Sequence, residues 1–235
     1  MTTLPREMTC AVCGAPSTQT VVSSASAFGA SDLDTRPPEM VRSGLRYEVQ
    51  ECPSCGYCSE NIAIPPTTAL PVLSSAAYVE QHRNPAFPQL ANRFLCCAML
   101  HEALEEFAKA GWAATRAAWA CDDEGNDAAA RTCREKAILL FEKTIRANRM
   151  FTPSPLVGIA VLVDLFRRSG QFERALQIAG VTVPTIPGGD PEEHQTVVQV
   201  FAFERVLAER GDRACYTIKD ALSFAGGGEG EPDSA

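Results

Sequence analysis

No apolar run in this chain reaches the roughly 18 residues needed to span a bilayer. Residues 1–20 also lack the apolar stretch that opens a secretory leader. These absences predict a cytoplasmic protein with no membrane partner. Positive charge is scarce too, with a net charge of −8 over 235 residues. Nucleic-acid binders need clustered Lys and Arg to neutralise phosphates, so no nucleic acid is expected. The N-terminal part keeps the same sign. Arg6, Arg36, Arg42 and Arg46 face Glu7, Asp32, Asp34, Glu39, Glu48, Glu51 and Glu60 there. Familiar catalytic signatures are missing as well: no Gly-x-Ser-x-Gly elbow, phosphate loop, dinucleotide fingerprint or His-Glu-x-x-His. Catalytic groups can converge only in the fold, so the expectation leans away from an enzyme without closing that door.

Cysteine, by contrast, is abundant, with ten in the chain. Without an export signal, ten thiols point to metal and reduced cysteine, not to a disulfide framework. Four of them form two knuckles, Cys10-x-x-Cys13-Gly14 and Cys52-Pro53-x-Cys55-Gly56. A CxxC turn supplies two thiolates from one tight loop, and the following glycine accepts the positive φ that such a turn requires. Two knuckles close a tetrahedral shell, so Cys10, Cys13, Cys52 and Cys55 are the expected ligands of one structural zinc ion. A closed shell leaves no position for a reacting water. Cys58 is either a thiol packed nearby or a fifth ligand able to exchange. Cys96, Cys97, Cys121, Cys133 and Cys215 fall in helical patterns, where free cysteine behaves as a small hydrophobe.

The expected fold class is α+β, mostly α: a small zinc-ribbon-like N-terminal module followed by a tetratricopeptide-like helical-hairpin array. Residues 1–64 form the metal module, 65–72 a Pro-rich linker, 73–225 the helical domain and 226–235 a disordered tail. Leu45, Tyr47 and Val49 alternate with Arg46, Glu48 and Gln50, which reads as a half-buried strand entering the second knuckle. Helices are expected near 74–83, from Pro88 to Lys109 and from Trp112 to Cys121. A further one, capped by Asp127, should run to Arg149. Pairs follow at 156–169 with 171–180, and at 191–210 with 212–224, separated by a Pro/Gly stretch over 184–191. In the first pair Ile159, Leu162, Val163 and Phe166 precede Gly170, Phe172, Ala175, Ala179 and Pro187. That order is similar to a tetratricopeptide repeat, in which small residues let paired helices approach and large ones fill the gap. Trp112 and Trp119, seven apart, share a helix face and belong to the core.

Two constellations stand apart from the knuckles. Asp32, Asp34 and Arg36 could bind a cation or a phosphate-bearing ligand, or form Asx turns and an ion pair that brace the loop against the zinc knuckles. Cys97, His101 and Glu105 fall at i, i+4 and i+8 of one helix face. There they could ligate a second metal, or be a packed thiol, a hydrogen-bonded histidine and a solvated glutamate. His82 and His194 have no partner at ligand spacing.

Three segments resemble a known family. They are Ser31-Asp32-Leu33-Asp34-Thr35-Arg36-Pro37, Cys52-Pro53-x-Cys55-Gly56-Tyr57, and Ala117-Ala118-Trp119-Ala120-Cys121-Asp122-Asp123. Over roughly residues 8–180 the chain looks like the bacterial domain of unknown function 2225 family. The resemblance implies zinc knuckles at Cys10, Cys13, Cys52 and Cys55 plus repeat-like helices, and no assigned activity. The resulting expectation is a non-enzymatic interaction or scaffold protein that binds a protein or peptide on its helical-repeat face. The alternative is an enzyme or small-ligand or redox sensor using the Asp32/Asp34/Arg36 loop near the zinc site.

Overall fold

A computed structural model of the chain describes residues 1–66, 69–183 and 189–226. The expected tail beyond Gly226, most of the Pro/Gly stretch and Pro187 therefore lie outside the described residues. The architecture is α+β and mostly α. The chain forms two compact units. The first holds residues 1–28 and 39–151, and the second holds 29–38 with the chain from 152 onward. The Pro-rich segment expected as a linker falls inside the first unit. Among the described residues, no helix is long and apolar enough to cross a membrane.

In the first unit, strands β1 (Thr2–Thr9) and β2 (Pro16–Ser24) pair antiparallel with Thr9 opposite Pro16. Strands β3 (Gln50–Glu51) and β4 (Cys58–Ser59) form a second, two-residue ladder. The strand expected over 45–49 is instead a 3-10 helix, Arg42–Tyr47. Leu45 and Val49 are the buried members of that set. Leu45 lies in that helix and Val49 two residues past its end. Glu39 tips the balance, because its carboxylate accepts the Ser43 hydroxyl at 2.6 Å and the Ser43 backbone N–H at 3.3 Å.

Helices α1 (Leu70–Leu73), α2 (Ala76–His82), α3 (Gln89–Ala103), α4 (Phe107–Asp123) and α5 (Asp127–Arg146) complete the unit. Ser75 caps α2 through the Tyr78 N–H, and Asn126, not Asp127, caps α5 through the Ala129 N–H. The helix expected to run from Pro88 to Lys109 is two helices. At its break, the Glu106 N–H reaches the His101 carbonyl at 2.9 Å and the Glu105 N–H reaches Glu102 at 3.0 Å. This is the paired C-terminal closure of a helix, with Glu105 in the left-handed region at φ 55°. Helices α4, α6 and α8 end in the same way at Gly125, Gly170 and Gly211.

Gly111, in the gap between the helices expected to end at Lys109 and to start at Trp112, lies inside α4, where Phe141 of α5 packs on it. A Cβ there would stand 2.5 Å from the Phe141 ring. That ring is fully buried, stacked on Phe151 at 4.0 Å and edge-on to Trp112 at 5.3 Å. Gly→Ala inside an exposed helix stabilises by roughly 1 kcal/mol. Here the sign should reverse, with Gly111→Ala costing about 1–3 kcal/mol through overpacking. Tryptophan fluorescence during thermal melting reads this directly, since Trp112 and Trp119 both lie in the first unit. A rise in Tm would contradict the packing account.

The second unit contains the 29–38 segment, α6 (Pro155–Arg168), α7 (Phe172–Ala179), α8 (Pro191–Glu209) and α9 (Ile218–Gly226). Its centre is ionic. Arg167 is fully buried, and its Nε donates to Glu204 at 2.5 Å while Nη2 donates to Asp164 at 2.7 Å. Its Nη1 donates to the carbonyls of Asp212 and Ala214 at 3.0 and 2.9 Å. Those two carbonyls explain why the helix expected from 212 starts only at 218: a helix would consume them. Burial and the adjacent Asp164 carboxylate push Glu204 up to about 8, against the pull of Arg167. Asp164 Oδ2 and Glu204 Oε1 accept no N–H. A proton on Glu204 lets the two carboxyls hydrogen-bond to each other.

Candidate metal centre

Each cysteine knuckle is the tip of a hairpin. Cys10 to Ala15 links β1 to β2, and Cys52 to Tyr57 links β3 to β4. The two tips share one hydrogen-bond pattern. The Cys10 N–H donates to Ala15 and the Cys52 N–H to Tyr57, while the Gly14 and Gly56 N–H groups donate back to Cys10 and Cys52, all at 2.9 Å. Gly14 and Gly56 have φ of 73° and 72°, a conformation that costs a residue bearing Cβ dearly. The glycine after each second cysteine is thus a requirement of the turn.

The four sulfurs lie within 4.8 Å of one another. Cys10 Sγ is 3.8 Å from Cys55 Sγ, and Cys13 Sγ is 3.6 Å from Cys52 Sγ. A tetrahedron of sulfurs around zinc at about 2.3 Å has edges of about 3.8 Å, so the cluster fits the ion. Burial acts to raise Cys52, but the backbone N–H groups of Cys55 and Ser54 and the thiols of Cys10 and Cys13 outweigh it and bring it down to about 7. Burial instead pushes Cys10 and Cys55 up, so Cys52 is the member of the cluster whose thiolate is favoured.

Cys58 stays outside the cluster. It is fully buried, and its thiol donates to the Gly56 carbonyl at 3.4 Å. A hydrogen bond with Cys96 and burial push it upward. Tyr78 of α2 locks this region, since its hydroxyl accepts the Cys58 N–H at 3.1 Å and donates to the Gly56 carbonyl at 3.0 Å. Cys10, Cys52, Tyr57 and Cys58 share one apolar core with Phe94, Leu95, Cys96 and Leu100 of α3 and with Trp119 of α4. The cluster is therefore built into the helical core of its unit.

The remaining candidates sort differently from expectation. Asp32, Asp34 and Arg36 belong to the second unit, not to the knuckles. All three are buried, at 2%, 0% and 4% exposure. Asp34 pairs with Arg168 at 3.3 Å and accepts the Arg36 N–H at 3.1 Å, and Asp32 accepts the Cys215 thiol at 3.2 Å. The Leu33 N–H donates to the Tyr216 carbonyl and the Ile218 N–H to the Ser31 carbonyl. The segment is thus a brace, as one of its two readings had it, and the partners shown for it, Arg168 and Cys215, belong to its own unit. Sequence order concealed this, because its partners lie 134 and 183 residues away.

Of Cys97, His101 and Glu105, the first is packed in the core, the second is hydrogen-bonded and the third is exposed, so the three do not form a ligand ladder. Cys97 and His101 do share a face of α3. Glu105 does not join them, because its left-handed backbone turns it off the helix. Glu60, just past β4, takes its place: a carboxylate oxygen of Glu60, Cys97 Sγ and a ring nitrogen of His101 lie within 4.8 Å of one another. His101 Nε2 is 3.0 Å from Glu60, and Nδ1 is 2.8 Å from Glu106. Burial alone lowers His101, but the Glu60 and Glu106 carboxylates outweigh it and hold its pKa above the usual histidine range. Two partners absent from the sequence reading also appear. His82 Nε2 meets Glu51 at 2.9 Å, and His194 Nε2 meets the Val183 carbonyl at 3.3 Å.

No curated protein and no solved structure matches the chain. A family model described as "Uncharacterized protein conserved in bacteria" matches residues 4–185, which include both knuckles, the 29–38 segment and helices α1 to α7. On that match the chain belongs to the family DUF2225.

Proposed function

We propose that this protein is a zinc-stapled interaction protein. One zinc ion on Cys10, Cys13, Cys52 and Cys55 holds the N-terminal hairpins against the helices, and paired helices of tetratricopeptide-like character offer a surface to a protein or peptide partner. The observation that carries the reading is the closed four-sulfur shell merged with a helical core. Such an ion has no position for substrate and contributes to folding. Burial of Asp32, Asp34 and Arg36 weighs against a sensor or active site in that loop.

Helix α5 carries Leu139 and Ile145 largely exposed, at 57% and 48%. They are natural positions at which to probe the surface without touching the core. Affinity purification of the tagged chain should recover a near-stoichiometric protein partner. Leu139→Glu with Ile145→Glu should weaken that recovery at least tenfold, about 1.4 kcal/mol, while helicity and zinc content hold. Recovery of the chain alone, at native expression, would count against the interaction reading.

A further inference from the structure

We infer that Glu60, Cys97 and His101 form a second metal site, separate from the four-cysteine cluster, which takes a zinc-class divalent ion and leaves one coordination position for water or a small ligand. The inference is independent of the interaction reading.

Three donor types meet here from two elements: a carboxylate from the segment after β4, and a thiol and an imidazole one helical turn apart on α3. A carboxylate, a thiolate and an imidazole together suit a borderline ion such as zinc better than magnesium or calcium, which prefer oxygen alone. Three protein ligands is the number found where zinc keeps an open position, in contrast to the four sulfurs of the knuckles.

The outer arrangement is that of a metal-binding histidine. His101 offers Nε2 to the cluster, while Nδ1 is held by Glu106 at 2.8 Å, and Glu106 is held in turn by Lys109 at 2.8 Å. A carboxylate on the distal nitrogen fixes the ring and its tautomer in zinc sites. An ion entering between the three donors displaces the proton on Cys97 Sγ and any proton on His101 Nε2 to solvent. The Nδ1–H stays with Glu106.

A cavity of about 230 Å³ adjoins the site, lined by Glu60 and Cys97 together with Val49, Phe94, Ala113 and the Glu48–Arg116 ion pair. It has room for several waters, at about 30 Å³ each. Cys97 is buried and Glu60 is largely exposed, so the site joins the core to the solvent. None of the three belongs to the four-cysteine cluster.

The test is cobalt titration of the purified full-length protein with its first zinc in place, followed by visible absorption and native mass spectrometry. The wild type should take up a second ion and show the ligand-field bands of a tetrahedral site with a single-thiolate charge-transfer band. Glu60→Gln, which alters an exposed side chain and spares the fold, should abolish that second event, as should Cys97→Ala. Both should keep the first zinc. Glu106→Gln, which changes only the group behind His101, should weaken the second ion about 10–100-fold. A wild type that saturates at one ion under excess cobalt overturns the inference. So does an unchanged second event in Glu60→Gln or in Cys97→Ala.

Discussion

Replacing Cys52 by Ser should strip the four-sulfur cluster of its metal and melt far more than a loop. Structural zinc contributes on the order of 10 kcal/mol to small metal-dependent domains. A whole domain is typically stable by only about 5–15 kcal/mol. Cys10 and Cys52 lie in the same apolar core as Phe94, Leu95 and Trp119. Tyr78 ties α2 to the second knuckle through Gly56 and Cys58. Loss of the ion should therefore spread from residues 1–24 and 50–64 into α2 and the facing side of α3. The second unit has its own buried centre around Arg167 and should keep its helices. Hydrogen exchange read by mass spectrometry separates these regions. If the variant holds no zinc yet keeps full protection across 50–64 and α2, the cluster is not what holds this unit together.

The second large effect is expected at Arg167. Its guanidinium holds Glu204, Asp164 and two backbone carbonyls at 0% exposure. Arg167→Met leaves those acceptors buried without their cation, and removing one partner of a buried pair costs about 3–5 kcal/mol. Glu204→Gln provides the contrast. Burial and the Asp164 carboxylate push Glu204 up to about 8, which favours its protonated form. Glutamine then reproduces both of its roles: its oxygen accepts from Arg167, and its amide donates to Asp164. The cost should stay below about 1 kcal/mol, near that of one ordinary hydrogen bond. Denaturant melts followed by far-UV dichroism and by exchange in α6 and α8 measure both. Equal losses in the two variants would mean that Glu204 is ionised and that no proton is shared.

The knuckles were legible from sequence because every determinant is local. Two thiols three residues apart, followed by a glycine whose φ must be positive, specify a turn with little help from the rest of the chain. Cys97 and His101 were legible for the same reason, through the helical repeat. Glu60 was not, since it joins them across 41 residues of chain. Glu105 misled because its place depends on where α3 stops. That stop is made at a glutamate in a left-handed conformation, a residue that advertises no break. Gly111, the residue that does advertise one, is retained to admit Phe141. The Asp32-Asp34-Arg36 segment was singled out as unusual, but the residues it braces were not legible. What buries its charges is Arg168 and Cys215, and only the fold brings them near.

The two knuckles present their sulfurs unequally. Cys10 and Cys52 are sealed in the core, whereas Cys13 and Cys55 are exposed. An ion held by all four therefore has one inner and one outer edge, with one sulfur of each edge supplied by each hairpin. A chelator or an electrophile reaches the outer pair while the inner pair still grips the ion. Departure of a bound ion would then begin at the outer pair, before the inner hairpin contacts open. For a bound ion, exchange would then depend on Cys13 and Cys55, and the tie to the fold on Cys10 and Cys52.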